Sequence, residues 1–156
     1  IIKALNLEHL SIKWPNDIYY KGSKLCGILL EAVTRNEIEC LIIGIGLNVN
    51  QREFVGEYKR TPTSLYQITN QTQDMKIIKD KIFNQLYNDF MKVKEGYDFY
   101  NDIKEYDYLK DREVYAEINN EVKQIKVLGI DSDYSLKVLK DNKTYNLSSG
   151  EVTFHL

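Results

Sequence analysis

Two segments, Lys24–Val33 and Glu39–Val49, are apolar or glycine at nearly every position, and they narrow the fold more than any other feature. Short runs of this kind read as strands buried on both faces, which calls for a sheet with helices packed on it. The polar break Arg35-Asn36-Glu37 separates them. Leu10–Trp14, stopped by Pro15, and Asp17–Tyr20, followed by the turn Lys21-Gly22-Ser23, read as two earlier strands.

Beyond residue 50 the pattern changes. Residues 50–72 show no clear period and read as loop, with one helical turn at Ser64–Ile68. Ile77, Ile78, Ile82, Phe83, Leu86, Tyr87, Phe90 and Met91 then recur at helical spacing. Asp74 suits the N-cap, Lys92 and Lys94 the last turn, and Gly96 the C′ position. A second helix holds Phe99, Tyr100, Ile103 and Tyr106 on one face. From about residue 112 the period becomes two, through Val114, Ala116 and Ile118, with turns at Asn119-Asn120 and Asp141-Asn142. The short strands there suggest a small barrel. The expected class is α+β: a mixed β-sheet with packed helices over residues 1–111, then a small β-barrel over 112–156.

Composition excludes several function classes. Lys and Arg number 21 against 23 Asp and Glu, a net charge of −2, so no nucleic acid is expected as partner. The longest apolar-plus-glycine run, Leu41–Leu47, is too short to cross a bilayer. Cys26 and Cys40 lie in apolar segments and read as buried thiols of a cytoplasmic protein. With His9 and His155 they are too scattered for a zinc finger, and no metal site is expected. Asp131-Ser132-Asp133 reads as a turn. Ile1, Ile2 and Leu5 look like the last turns of an amphipathic helix, so the chain is expected to be a fragment or a processed form.

Chemistry concentrates in Lys13-Trp14-Pro15-Asn16-Asp17, Lys24-Leu25-Cys26-Gly27 and Gly44-Ile45-Gly46-Leu47-Asn48. Asn16 and Asp17 sit at a strand-to-strand corner, where such residues also serve as turn formers. Lys24 opens an apolar strand, so its ammonium either snorkels to water or meets an anion. Gly27 marks a bulge or a close ligand. Gly44 and Gly46 share one face at period two, leaving a trough for a flat apolar ligand or for a packed helix. The Rossmann and Walker fingerprints are absent.

Together, KWPND, KLCGILLE and IIGIGLNVN resemble the catalytic domain of the biotin protein ligases, and TPTSL, the long helix and a small barrel ending in SGEV extend the resemblance from about Leu5 to Val152. The resemblance implies joining of biotin to ATP, with Mg2+ as part of the substrate complex, and transfer of the biotinyl group to a lysine of a biotin carboxyl carrier protein. It implies no permanently bound cofactor, and it makes a homodimer compatible with the family. Lys24 matches the catalytic lysine that bridges the biotin carboxylate and the ATP α-phosphate. A cation about 4 Å from an anion contributes roughly 4 kcal/mol at an effective dielectric of about 20. Asp17 matches the carboxylate of the transfer step. Gly27, Gly44, Ile45 and Gly46 match the biotin side. Asn16, Asn48, Thr63, Ser64 and Glu151 match the nucleotide side, with His155 where many members have a basic residue. The family's glycine-arginine loop (GRGRxxR) and the winged-helix domain of some members have no match in this sequence, so the chain by itself is expected not to form biotinyl-AMP at a useful rate. A lipoate ligase or octanoyl-transferring relative, and a non-catalytic binding domain, are the alternatives.

Overall fold

The computed structural model describes residues 1–35, 38–58, 60–118, 121–148 and 152–155. The chain forms two compact units, Ile1–Ser11 with Asn16–Tyr97 and Ile12–Pro15 with Asp98–Leu156. The expected Asn119-Asn120 turn and Glu151 lie outside the described residues, as does the side chain of His155.

The first unit carries α1 (Ile2–Leu5), β1 (Leu10–Lys13), β2 (Asp17–Tyr20), β3 (Ser23–Thr34), β4 (Ile38–Leu47), α2 (Leu65–Thr69) and α3 (Met75–Lys94), with the last two residues of β1 belonging to the second unit. The sheet order is β1-β2-β3-β4, and the β2–β3 and β3–β4 ladders are antiparallel. The helix is delimited as its sequence dictates. Asp74 Oδ1 accepts from the amides of Lys76 at 2.7 Å and Ile77 at 3.3 Å. At the other end Gly96 N–H donates to Val93 O and Tyr97 N–H to Lys92 O, both at 2.9 Å, with Gly96 at φ +87°. That pair of bonds is a Schellman closure, which needs a residue tolerant of positive φ at C′.

Burial of β3 and β4 departs from the expectation. Leu25 and Cys26 are buried, but Leu29, Leu30, Leu41, Ile42 and Ile43 are exposed. The two strands pair as far as Thr34↔Ile38, whereas β2 pairs with β3 only as far as Gly27. The distal half is thus a two-stranded ribbon, and its apolar residues reach beyond their cover. For the same reason Cys40 is exposed, while Cys26 is buried as expected.

The second unit holds α4 (Tyr100–Lys104) and β5 (Glu113–Ile118), β6 (Glu121–Ile130), β7 (Leu136–Lys140), β8 (Lys143–Leu147) and β9 (Val152–His155), in the sheet order β8-β7-β6-β5-β9. The period-two residues Val114, Ala116, Ile125, Val127, Leu136 and Val138 form its core with Leu109, Leu147 and Phe154. Trp14 belongs to this core: its ring meets Phe154 edge-on at 6.3 Å and its Nε1–H donates to Tyr134 O at 3.0 Å. Among the described residues no helix is long and apolar enough to cross a membrane.

Candidate active site

A row of three residues crosses the first sheet. Asp17 on β2 opposes Gly27 on β3, and Gly27 opposes Gly46 on β4. Directly opposed residues share a face, so Asp17 stands beside two positions without side chains. The next pair, Leu29↔Gly44, continues that face. A β-carbon on Gly46 would meet only the Gly27 carbonyl oxygen, at 3.7 Å, and one on Gly44 only Leu29 atoms, at 3.6 and 3.7 Å. Among the described residues, no helix atom stands within 4 Å of either β-carbon position. On the opposite face Ile43, Ile45 and Leu47 line a groove with Ile78, Ile82 and Leu86 of α3.

Lys24 reaches this floor through a fault in the strand. Residues three apart normally point to opposite faces. Here the β2–β3 register runs Ile18↔Cys26 and then Tyr19↔Lys24, leaving Leu25 as the extra residue of a β-bulge. The bulge turns Lys24 onto the face of Gly27. Its Nζ lies 2.6 Å from Asp17 Oδ1. A β-carbon on Gly27 would stand 3.3 Å from that Nζ and 3.5 Å from that carboxylate oxygen. The Asp17 side chain is largely shielded at 12% exposure, whereas that of Lys24, at 37%, stays accessible to a second anion.

A cavity of about 600 Å³ extends from Lys24 and Gly46, and Asn48, Gln51, Glu53, Phe54, Tyr58, Arg60 and Pro62 line it further. Phe54 and Tyr58 meet edge to face at 6.0 Å. Among the described residues no cluster of His, Cys, Asp and Glu could hold a metal. Burial pushes the Cys26 thiol up to about 11, which disfavours a thiolate role there.

Residues 2–48 match the model of the biotin/lipoate A/B protein ligase family. The chain is 41% identical over 86 residues to the bifunctional ligase/repressor BirA of Bacillus subtilis, covering 51% of this chain and 26% of that protein. The apo structure of biotin protein ligase from Aquifex aeolicus superposes with a TM-score of 0.83 at 30% identity, over 97% of this chain and 69% of that one. The chain belongs to the biotin protein ligase family. The Aquifex ligase solved in complex with biotin and ATP gives 0.82 at 30% identity, over 97% of this chain and 66% of that one. The chain thus spans about a quarter of the length of the Bacillus relative and about two thirds of the Aquifex one.

Within this ligase-family chain the residues singled out from sequence fall into three groups. Lys24, Asp17, Gly27, Gly44 and Gly46 come together on one face. Ile45 does not: period-two alternation turns its side chain into the α3 groove, so it lines nothing on the glycine side. Asn16, Asn48, Thr63 and Ser64 serve the scaffold around the site. Asn16 Nδ2 donates to Ile28 O at 2.8 Å, and its carbonyl accepts from Ile28 N–H at 2.8 Å. Asn48 Nδ2 donates to Thr63 O at 2.9 Å. Ser64 caps α2 by accepting from Gln67 N–H at 3.1 Å and donates to Gln51 O at 2.5 Å. The cavity residues Gln51, Phe54, Tyr58 and Arg60 escaped the sequence reading. The aromatic and basic residues between Asn50 and Pro62, in a loop without period, were the only signal.

Proposed function

We propose that this chain carries the biotin-activating and biotin-transferring site of a biotin protein ligase. In the first half-reaction the carboxylate of biotin attacks the α-phosphorus of ATP, supplied as its Mg2+ complex. The bond to the β-phosphate oxygen breaks, leaving biotinyl-5′-AMP and pyrophosphate. Both reactants are anions, and the Lys24 ammonium offsets their repulsion as they approach. Arg at this position would be a poor substitute, because its planar fork needs more room over Gly27.

In the second half-reaction the amine of a lysine on a biotin carboxyl carrier protein attacks the activated carbonyl, the amide forms and AMP leaves. Neutralising a lysine at pH 7 costs roughly 4.6 kcal/mol from its reference pKa. Asp17 orients that amine and takes its proton as the amide bond forms. Gly27, Gly44 and Gly46 provide the floor for the biotin rings, and residues 48–64 the wall on the nucleotide side. The carrier protein as acceptor and a cytoplasmic setting belong to the same proposal.

The observation that supports this reading most is the Lys24 ammonium above the Asp17–Gly27–Gly46 row. A cation at the edge of a floor without side chains suits a flat ligand with a carboxylate tail. Calorimetric titration of the chain with biotin and with lipoate, followed by biotin-dependent pyrophosphate release in the full-length protein, tests it. Biotin is expected to bind in preference, and in the full-length protein Lys24→Ala is expected to lose several orders of magnitude in adenylation. The family model matching residues 2–48 also covers lipoate ligases, so preference for lipoate would select a lipoyl- or octanoyl-transferring activity instead. Ligand binding indifferent to Lys24→Ala would point to a non-catalytic module.

A further inference from the structure

We propose that Asn48 is a positioning residue for Lys24, acting through the segment Thr61-Pro62-Thr63, so that the cavity wall and the cation on its floor are set together. This inference rests on the ligase reading above. The last β3–β4 pair is Cys26↔Leu47, and beyond it β3 needs a new neighbour. The segment 61–63 takes that place, bridging in parallel at Lys24↔Pro62. Lys24 N–H donates to Thr61 O at 2.8 Å, and Thr63 N–H donates to Lys24 O at 2.8 Å. Proline costs nothing at the middle position, because the bridge uses only its neighbours' groups.

Asn48 staples this arrangement. Its main-chain N–H donates to Leu25 O at 3.0 Å, within the bulge that turns Lys24. Its side-chain amide donates to Thr63 O at 2.9 Å, and its own carbonyl accepts from Leu65 N–H at 3.0 Å. Bulge, bridging segment and start of α2 therefore meet on one residue. The far end of the loop is tied to the same helix, by Ser64 Oγ to Gln51 O and by Gln67 Nε2 to Arg52 O at 2.9 Å. A ligand that fills the cavity and shifts the loop must draw on the two bonds that hold the Lys24 backbone.

The test needs a readout other than turnover. Asn48→Asp keeps the shape but loses the donor to Thr63, and Asn48→Gln restores an amide. In the 156-residue chain, acylation of Lys24 by an amine-reactive ester, mapped by mass spectrometry, is expected to rise severalfold in Asn48→Asp and to return toward wild type in Asn48→Gln, with Lys76 and Lys79 as references. In a protein that carries the glycine-arginine loop together with this chain, biotin-dependent pyrophosphate release is expected to fall by up to about a hundredfold in kcat, with KM for ATP nearly unchanged. A raised KM for ATP with unaltered Lys24 acylation would overturn the proposal, since Asn48 would then act on the nucleotide alone. Should the wild-type chain bind neither biotin nor ATP in calorimetry, the ligase reading fails, while Lys24 acylation still decides the positioning. Should Asn48→Asp not fold, hydrogen exchange of the wild-type Lys24 and Thr63 amides decides it: a shared opening rate supports the coupling, and rates differing by more than about tenfold refute it.

Discussion

Asp17 and Gly27 oppose one another across the β2–β3 ladder, and the space a side chain at Gly27 would occupy is filled by the ion pair from Asp17 to Lys24. A side chain at Gly27 would therefore press on the pair itself. Gly27→Ala would place its β-carbon 3.3 Å from Lys24 Nζ and 3.4 Å from its Cε, both at the flexible end of a long side chain. The lysine can yield by a few tenths of an ångström, so the fold is expected to survive with a stability change within about 1 kcal/mol. In the full-length protein adenylation is expected to drop by about ten- to a hundredfold, because the ammonium moves from its place. Denaturant midpoints together with single-turnover rates check both halves, and a normal rate in a folded Gly27→Ala protein would show that the close approach is irrelevant.

Asp17→Asn separates the two half-reactions. The amide is isosteric and can still accept from Lys24 through Oδ1, so the ammonium keeps a partner over Gly27. It cannot take a proton from an incoming amine. In the full-length protein, transfer to the carrier lysine is expected to suffer more than formation of biotinyl-5′-AMP. Quench-flow measurement of each step in turn provides the comparison, and equal losses would remove the assigned role of Asp17.

Trp14 was legible in KWPND as part of a motif, but its job was not. The sequence reading placed it at the end of a strand beside the chemistry. In the fold it belongs to the second unit, against Phe154 and with its indole N–H on Tyr134 O. Trp14→Ala is expected to destabilise that unit by about 3–5 kcal/mol through cavity formation and the lost indole hydrogen bond. Thermal unfolding followed by near-ultraviolet circular dichroism reads this, the chain having one tryptophan, so tyrosine signals serve in the variant. A loss below about 1 kcal/mol would mean that the site collapses around the deletion.

The contrast between Asp74 and Leu25 shows what sequence could and could not convey. Asp74 and Gly96 act within their own helix, where capping geometry depends on a few neighbours, and both ends fell where expected. Leu25 is an ordinary leucine, and only the partner strand decides that it becomes the extra residue of a bulge. Spacing alone therefore gave Lys24 and Gly27 as chemically interesting without showing that they share a face. Ile45 shows the other side of this: the resemblance implies it as apolar lining of the biotin side, while alternation along β4 points its side chain at α3. The exposed ribbon beyond Gly27 was illegible for a similar reason, since apolar runs state a preference for cover and not whether β2 is long enough to provide it.

Cys26 and Cys40 lie on opposed strands but in different surroundings, one buried and one exposed. Burial pushes the Cys26 thiol up to about 11 and the Asp17 charge adds to it, while Lys24 works against both. The folded protein therefore holds this proton to higher pH than the unfolded chain, whose thiol titrates near 9.0. The resulting stabilisation is fully present below pH 9 and is lost as the pH rises through about 11, by at most about 2–3 kcal/mol. Tyrosines ionise in the same window, so the quantity to measure is the difference in unfolding free energy between wild type and Cys26→Ala from pH 8 to 11. That difference is expected to shrink as the pH rises. At pH 8 a thiol reagent is expected to label Cys40 at once and Cys26 only on unfolding; equal labelling of the two would show that the Cys26 thiol is open to solvent.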